Sequence, residues 1–216
     1  MSDQRRRALE REAHGDREQA AALLLERVRA GELSPTQLEL LALLGEPAAA
    51  LALPDARVLP AAPDPQAFAA ALLPFGKPVL VRAALAAARP LLRLLEEHAP
   101  WERRPQEALD AVAAWLTAPQ REPLRVAVRL TLPEVERAGE ELSDNAQPTV
   151  EEVELAFVAH ATGAVAELAA ELREVAWVAL TADALAQAEA LHEDLGAEDG
   201  AVALARAALR RWCLGE

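Results

Sequence analysis

The chain has 216 residues, of which 52% are hydrophobic, and it carries a formal net charge of −13 at pH 7. This length and apolar content suit one domain, or one domain with a small N-terminal appendage, and they exclude a wholly disordered chain. The negative charge argues against nucleic acid as the main partner, because phosphate binding requires a basic face.

Alanine and leucine supply most of the apolar residues, and both are strong helix formers. Cys213 is the single cysteine, so the sequence forms no internal disulfide and suits a reducing compartment. The first residues lack the apolar core of a secretory signal, and no run reaches the roughly 18 consecutive apolar residues of a membrane span. We therefore expect a cytoplasmic protein that does not contact a membrane.

The N-terminal residues predict a series of short helices separated by capping signals. A helical segment is expected over residues 4–30, interrupted at Gly15-Asp16 into a short leading helix and a second helix that Asp16 caps. Gly31 suits the position just after the end of the second helix. Ser34 is expected to cap the next helix, which Gly45 ends, and a further short helix follows. This order resembles a stacked helical-repeat unit, so residues 1–53 are predicted to form a helical repeat-like segment.

A proline-rich linker and a long helical hairpin are expected next. Residues 54–65 carry four prolines and predict a surface linker, and a short helix follows it. Residues 77–116 predict two amphipathic helices, the first ending at His98 and the second beginning near Pro105. Their inward stripes contain Leu80, Ala84, Ala87, Leu91, Leu94 and Leu95, then Ala108, Leu109, Val112, Trp115 and Leu116.

Residues 124–132 carry an ambiguous pattern. Valine and leucine alternate there with arginine, alanine and threonine, which is the period of a strand. The sequence offers no second convincing strand to pair with it. A short helix bounded by Pro123 and Pro133 is therefore the favoured prediction, and a strand is the alternative.

The C-terminal half predicts further helices after an acidic stretch over residues 134–154. A loop is expected near residues 143–147, followed by a helix that Thr149 and Glu152 begin as a capping box. The residues predicted to face inward there are Val153, Phe157, Val158 and Ala161, then the stripe Val165, Leu168, Leu172, Val175 and Ala176. Two more helices complete an all-α fold of about nine or ten helices, stacked as hairpins in a helical-repeat-like bundle, with residues 66–216 as its main domain.

The sequence contains no recognisable catalytic, cofactor or metal motif. Its four histidines lack metal-ligand spacing, and it carries neither a G-x-S-x-G elbow nor a glycine-rich phosphate loop. We therefore expect no catalytic residue, no cofactor and no metal, and a protein that is not an enzyme.

Two surfaces are candidates for binding a protein partner. Trp101, Arg103 and Arg104 lie in the turn of the hairpin, and tryptophan and arginine dominate interface hot spots. The alternative is that Trp101 packs on the hairpin while the arginines stay solvated or pair with nearby glutamates. The second surface is acidic, although charge runs are usually solvated faces; its residues are Glu134, Glu136, Glu140, Glu141 and Asp144.

The central hairpin resembles the helical domain of bacterial immunity proteins of the Imm-5-like kind. The residues that carry the resemblance are the run Val81-Arg82-Ala83-Ala84-Leu85-Ala86-Ala87-Ala88-Arg89, then Leu94-Leu95-Glu96, then Arg104-Pro105, Ala108-Leu109, Ala111 and Ala114-Trp115. Where the family pattern has an acidic pair before the Arg-Pro, this sequence has Trp101-Glu102-Arg103, so no role is carried over from that pair.

The resemblance implies a protein that binds and neutralises a partner toxin without catalysing a reaction. An acidic surface would suit a basic toxin, because opposite charges steer two proteins together. Two alternatives stay open: a helical-repeat adaptor or assembly component that binds another bacterial protein, and a helical enzyme or ligand sensor with a pocket between helices. The sequence does not indicate an oligomeric state.

Overall fold

The computed structural model describes residues 17–143, 149–194 and 199–215. These residues form α-helices and two 3-10 helices and contain no strand, so the all-α class is confirmed. The 3-10 helices are Leu73–Phe75 and Arg89–Leu91. The α-helices are α1 (Arg17–Arg29), α2 (Pro35–Leu43), α3 (Pro47–Ala52), α4 (Pro65–Leu72), α5 (Lys77–Ala88), α6 (Leu92–His98), α7 (Arg104–Thr117), α8 (Glu122–Ser143), α9 (Val150–Ala170), α10 (Glu174–Asp194) and α11 (Ala201–Leu214).

Contacts along the backbone divide the chain into two compact units. One holds the residues up to Ala61 together with those from Leu209 onward, and the other holds Ala62–Ala208. The domain division expected from the sequence, with a linker over residues 54–65, stays a prediction.

Helix ends in the first unit follow the predicted capping signals. Gly31 has a φ of +74°, its N–H donates to the Val28 carbonyl at 3.0 Å, and the Glu32 N–H donates to the Arg27 carbonyl at 2.9 Å. This pair of bonds is a Schellman motif, which glycine favours because it has no Cβ to clash at positive φ. Ser34 caps α2 in a reciprocal capping box, as expected of this residue.

Helix α9 is the centre of the second unit. It packs against α5, α7, α8 and α10, and its alanine-rich inner face allows these neighbours to approach closely. The two predicted hairpin stripes are buried, except that Leu94 is only half-buried. Thr149 begins α9 with the predicted capping box to Glu152.

The first helix of the predicted hairpin is interrupted. A single helix ending at His98 was expected, but the 3-10 helix Arg89–Leu91 separates α5 from α6. Pro90 lies in this turn and explains the break, because proline donates no backbone hydrogen bond and its ring clashes with the carbonyl four residues earlier. The predicted end at His98 is confirmed.

Residues 124–132 are helical, so the strand alternative is wrong. They lie inside α8, which continues through Pro133 to Ser143, and the predicted boundary at Pro133 is therefore also wrong. The helix buries Val128 and leaves Leu130 71% exposed, because alternate residues cannot share one helix face. Pro133 and Arg129 are both exposed, so water can satisfy the Arg129 carbonyl that loses its helical donor.

Several residues predicted to face inward after Thr149 are exposed. Val158 and Ala161 are buried as expected, but Val153 and Phe157 lie on the outer face of α9. The stripe predicted through residue 176 is broken because α9 ends at Ala170 and a turn precedes α10. Val175 after this turn is 87% exposed, and Leu172 is also exposed.

Three sequence predictions fall outside the described residues, and one of them is the loop expected near residues 143–147, of which only Ser143 is described. The start of the first predicted helix lies in residues 1–16, and the predicted acidic-site residue Asp144 lies in residues 144–148.

Within the described chain, the segment Glu152–Ala170 is long and apolar enough to cross a membrane by length and composition, but 61% of it is buried inside the fold. A long apolar helix in the core of a folded protein has the same length and composition.

Candidate functional site

Trp101 lies at the tip of the turn between α6 and α7. The residue is 77% exposed, which shows that its side chain does not pack on the hairpin. Ala99 beside it is fully buried, and the Glu102 N–H donates to the Ala99 carbonyl at 2.9 Å. The turn is therefore anchored on both sides of the indole, and the exposed ring is held on an ordered backbone.

A charged network joins this turn to α8. Arg104 Nε donates to Glu102 Oε1 at 2.8 Å, and the Arg104 guanidinium also contacts Glu141. The Glu102 side chain is only 7% exposed, whereas that of Glu141 is well exposed. The hydrogen bonds from Arg104 hold the pKa of both carboxyls below their ordinary value, and they raise the pKa of the guanidinium. All three groups are thus charged at neutral pH.

A cleft of about 490 Å³ opens beside this network. We call it the Trp101 cleft; it is lined by His98, Ala99, Trp101, Glu102, Arg104, Glu141, Leu142, Thr149, Glu152 and Leu155. The two candidate surfaces of the sequence, the hairpin turn and the acidic stretch, therefore each contribute to its wall. Glu152 is also the partner of Thr149 in the capping box of α9.

The other candidate residues lie outside the Trp101 cleft. Arg103 lines a separate cleft of about 350 Å³, to which Glu102 also contributes. Glu134 pairs with Arg137 one turn along α8, and Glu136 lines a third pocket near His160. The remaining residue of the acidic set on α8, Glu140, is exposed.

A second polar site surrounds Lys77, and the sequence did not predict it. Lys77 Nζ donates to the carbonyl of Ala169 and to that of Glu171, both at 2.6 Å. The ammonium lies 5.1 Å from the centre of the Trp115 ring and 5.8 Å from that of Trp177. We call this arrangement the Lys77 cage, and the lysine within it is 9% exposed.

The Lys77 cage supplies a hydrogen-bond donor to the backbone carbonyls at the C-terminal end of α9. The last carbonyls of a helix lack partners within the helix and carry partial negative charge, so an ammonium there stabilises them. The two tryptophan faces add a cation–π attraction. Burial lowers the pKa of Lys77 from 10.5 to about 8. Repulsion from Arg125 also lowers this pKa, attraction to Glu171 raises it, and repulsion from Arg129 lowers it by a smaller amount.

Histidine, cysteine and carboxylate side chains do not converge as a metal site anywhere in the described residues.

Comparisons with protein-family models, with curated proteins and with solved structures found no significant match to this chain. The family resemblance of the central hairpin therefore stays a prediction, and the function has to be inferred from the sites themselves.

Proposed function

We propose that this chain is a protein-binding module, not an enzyme, that captures a basic partner protein at the Trp101 cleft. The observation that carries the proposal is the 77% exposure of Trp101 at the rim of a cleft with acidic walls. An indole left in water keeps a large apolar area available for burial, and tryptophan is among the residues most enriched at the energetic centre of interfaces.

The fold supports such a role for Trp101 by holding its backbone in place. The Glu102–Arg104–Glu141 network ties the turn to α8, so the backbone that carries the ring loses little conformational freedom on binding. Arg104 is committed to these two carboxylates, so it acts as a positioning residue and not as a contact for the partner.

Charge supports a basic partner. The net charge of −13 attracts a protein of opposite sign over long range, which raises the association rate and makes it depend on salt. Glu140 and Glu141 lie on the exposed side of α8 near the cleft. They would face basic side chains at the edge of the interface, where charges govern association more than affinity.

The specific form of this proposal is an immunity protein that neutralises a basic toxin, as the resemblance of the central hairpin implies. It would act by covering the toxin surface, and such binding requires no catalytic group on this chain. A helical-repeat adaptor and a ligand sensor with a pocket between helices are the other outcomes that an experiment has to distinguish.

The test is affinity capture from the source cells with three baits: the purified chain, Trp101→Ala and Leu130→Ala. Leu130 is the matched control because it is 71% exposed and lies about 16 Å along α8 from Glu141. Each bait is washed at low and then at moderate salt, and the retained proteins are identified by mass spectrometry. The identified protein is then purified, and its affinity for each bait is measured by titration calorimetry.

The proposal predicts one basic protein that the unmodified chain and Leu130→Ala retain at low salt and release at moderate salt. Trp101→Ala should lose at least about tenfold in affinity for it, as expected for a hot-spot residue. A large assembly that resists salt would refute the proposal in favour of an adaptor. Equal retention by Trp101→Ala would refute the cleft as the binding site, and capture of no protein would favour a small-molecule pocket.

A further inference from the structure

Lys77 is the single lysine of the sequence, and the fold encloses its amine. We propose that Lys77 is an acylation site controlled by folding: the folded chain shields the amine, and acyl donors reach it only when the turn after α9 opens. The structure thereby makes lysine-directed modification of this chain depend on its conformational state.

The geometry of the Lys77 cage blocks the approach of an acyl donor. Two carbonyl oxygens at 2.6 Å and two tryptophan rings within 5.8 Å surround Nζ. Trp177 closes the cage further, because its Nε1 donates to the Glu171 carbonyl at 3.3 Å. An attacking amine needs its lone pair directed at the carbonyl carbon of the donor, and Lys77 meets this requirement only after these contacts separate.

The short turn from Glu171 to Arg173 is the non-helical part of the cage, and the Glu171 carboxylate orders it by accepting from the Leu172 and Arg173 N–H groups at 2.8 Å. Its charged side chains are exposed or half-buried, and it connects two long helices without regular structure of its own. Local opening of such segments costs less free energy than unfolding of the core. Movement of this turn would remove the Glu171 carbonyl from Nζ and shift Trp177 at the start of α10.

The chemical step is ordinary acyl transfer from a thioester or an acyl phosphate. The neutral amine attacks the acyl carbon and forms a C–N bond, and the C–S or C–O bond of the donor breaks. The thiolate or phosphate leaves with the bonding electron pair, and the nitrogen loses one proton to solvent. No oxidant or reductant is required.

Acylation would prevent the cage from closing again. The resulting amide carries one N–H, so it cannot donate to both carbonyls as the amine does. It carries no charge, which removes the cation–π attraction of the two rings. The added acyl group also requires space that the tryptophans occupy, so a chain acylated while open should not regain the packed end of α9.

The experiment is labelling of the purified chain with N-hydroxysuccinimidyl acetate at pH 8, in buffer and in guanidinium chloride. Peptide mass spectrometry follows acetylation of Lys77, with the α-amine of the same chain as an internal reference. Because the pKa of Lys77 is about 8 in the fold, about half of the amine is neutral at this pH. The neutral fraction of Lys77 is smaller in denaturant, where its pKa is 10.5, so slower labelling of the folded chain than of the denatured chain reports restricted access and not protonation.

In denaturant, Lys77 should label more slowly than the α-amine, because an exposed lysine has a pKa of 10.5 and is almost wholly protonated at pH 8. In the folded chain, Lys77 should label about a thousandfold more slowly than it does in denaturant. Trp177→Ala should raise the rate in the folded chain at least about tenfold, because it removes one wall of the cage. Phe157→Ala, which truncates an exposed aromatic residue on the outer face of α9, is the matched control and should leave the rate unchanged. Fast labelling of folded, unmodified protein would overturn the proposal.

A second measurement tests the consequence of modification. Chains acetylated in denaturant are returned to buffer, and near-ultraviolet circular dichroism reports packing of the tryptophans. The proposal predicts loss of this signal with retention of much of the helical far-ultraviolet signal. Recovery of both signals with the stability of the unmodified chain would overturn the claim that acylation keeps the cage open.

Discussion

The stability of this protein should rise when the pH is raised from 8 to 10.5, and Lys77 is the cause. Its pKa is about 8 in the fold and 10.5 when exposed, so the unfolded chain binds more protons in this interval. Stability increases with pH wherever the unfolded state holds more protons. The fall in pKa from 10.5 to about 8 corresponds to a gain of about 3 kcal/mol in the free energy of unfolding across the interval.

Few other side chains of this protein have an ordinary pKa between 8 and 10.5, so the measurement reports mainly on Lys77. The chain has no tyrosine and a single lysine, so Cys213 is the other side chain with an ordinary pKa near this range. A Cys213→Ala background therefore leaves Lys77 as the one side chain that titrates there. Guanidinium unfolding followed by circular dichroism, repeated at intervals between pH 7 and pH 10.5, gives the free energy at each pH.

Lys77→Met in the same background is the decisive control. Methionine has a similar length and no titrating group, so the free energy of unfolding should become nearly independent of pH in this range. At pH 10.5 the variant should be less stable than its parent by about 2 kcal/mol, because the buried Ala169 carbonyl loses the amine that donates to it. A parent whose stability is flat or falls between pH 8 and pH 10.5, or a variant that keeps the parent's slope, would refute the reasoning.

Four further substitutions have effects that chemical denaturation should resolve. Trp101→Ala should change stability by less than about 0.5 kcal/mol because the ring is exposed, whereas Trp115→Ala, which empties part of the core, should cost about 3–5 kcal/mol. Pro133→Ala should stabilise the chain by about 1–2 kcal/mol, because it restores a helical N–H donor inside α8; a loss of stability would mean that α8 needs the proline. Glu102→Gln should destabilise by about 1–3 kcal/mol at neutral pH. Because Arg104 lowers the pKa of Glu102, this difference should be complete above the ordinary glutamate pKa and should vanish as the pH falls through the folded value.

The helices and many of their ends could be predicted because local chemistry determines them. Gly31, Ser34 and Thr149 each satisfy backbone groups at a helix end through contacts a few residues away, and such contacts are visible in sequence. The error at Pro133 has the opposite origin. Proline disfavours a helix locally, but packing of α8 against α7 and α9 outweighs the loss of one hydrogen bond.

The sites were less predictable because they depend on contacts between distant residues. The sequence indicated Trp101, Arg104 and Glu141 as separate candidates, but the ion pair between α7 and α8 is visible only in the fold. Lys77 was noticeable as the single lysine, yet the carbonyls that it contacts lie at the end of α9, 92 and 94 residues away. A lone cation at the start of an apolar helix is the signal that could have indicated a buried capping role.

The Lys77 cage is one case of a wider use of cations in this acidic chain. Arg82 on α5 donates to the Leu116 carbonyl at the end of α7, and in the first unit Arg27 donates to the Leu214 carbonyl at the end of α11. Alanine-rich helices have few polar side chains of their own to satisfy their last carbonyls, so a cation from another helix takes that role. Each such contact joins two helices as well as capping one. Positive charge is thus partly used inside the fold, which leaves carboxylates to dominate the surface that a basic partner would meet.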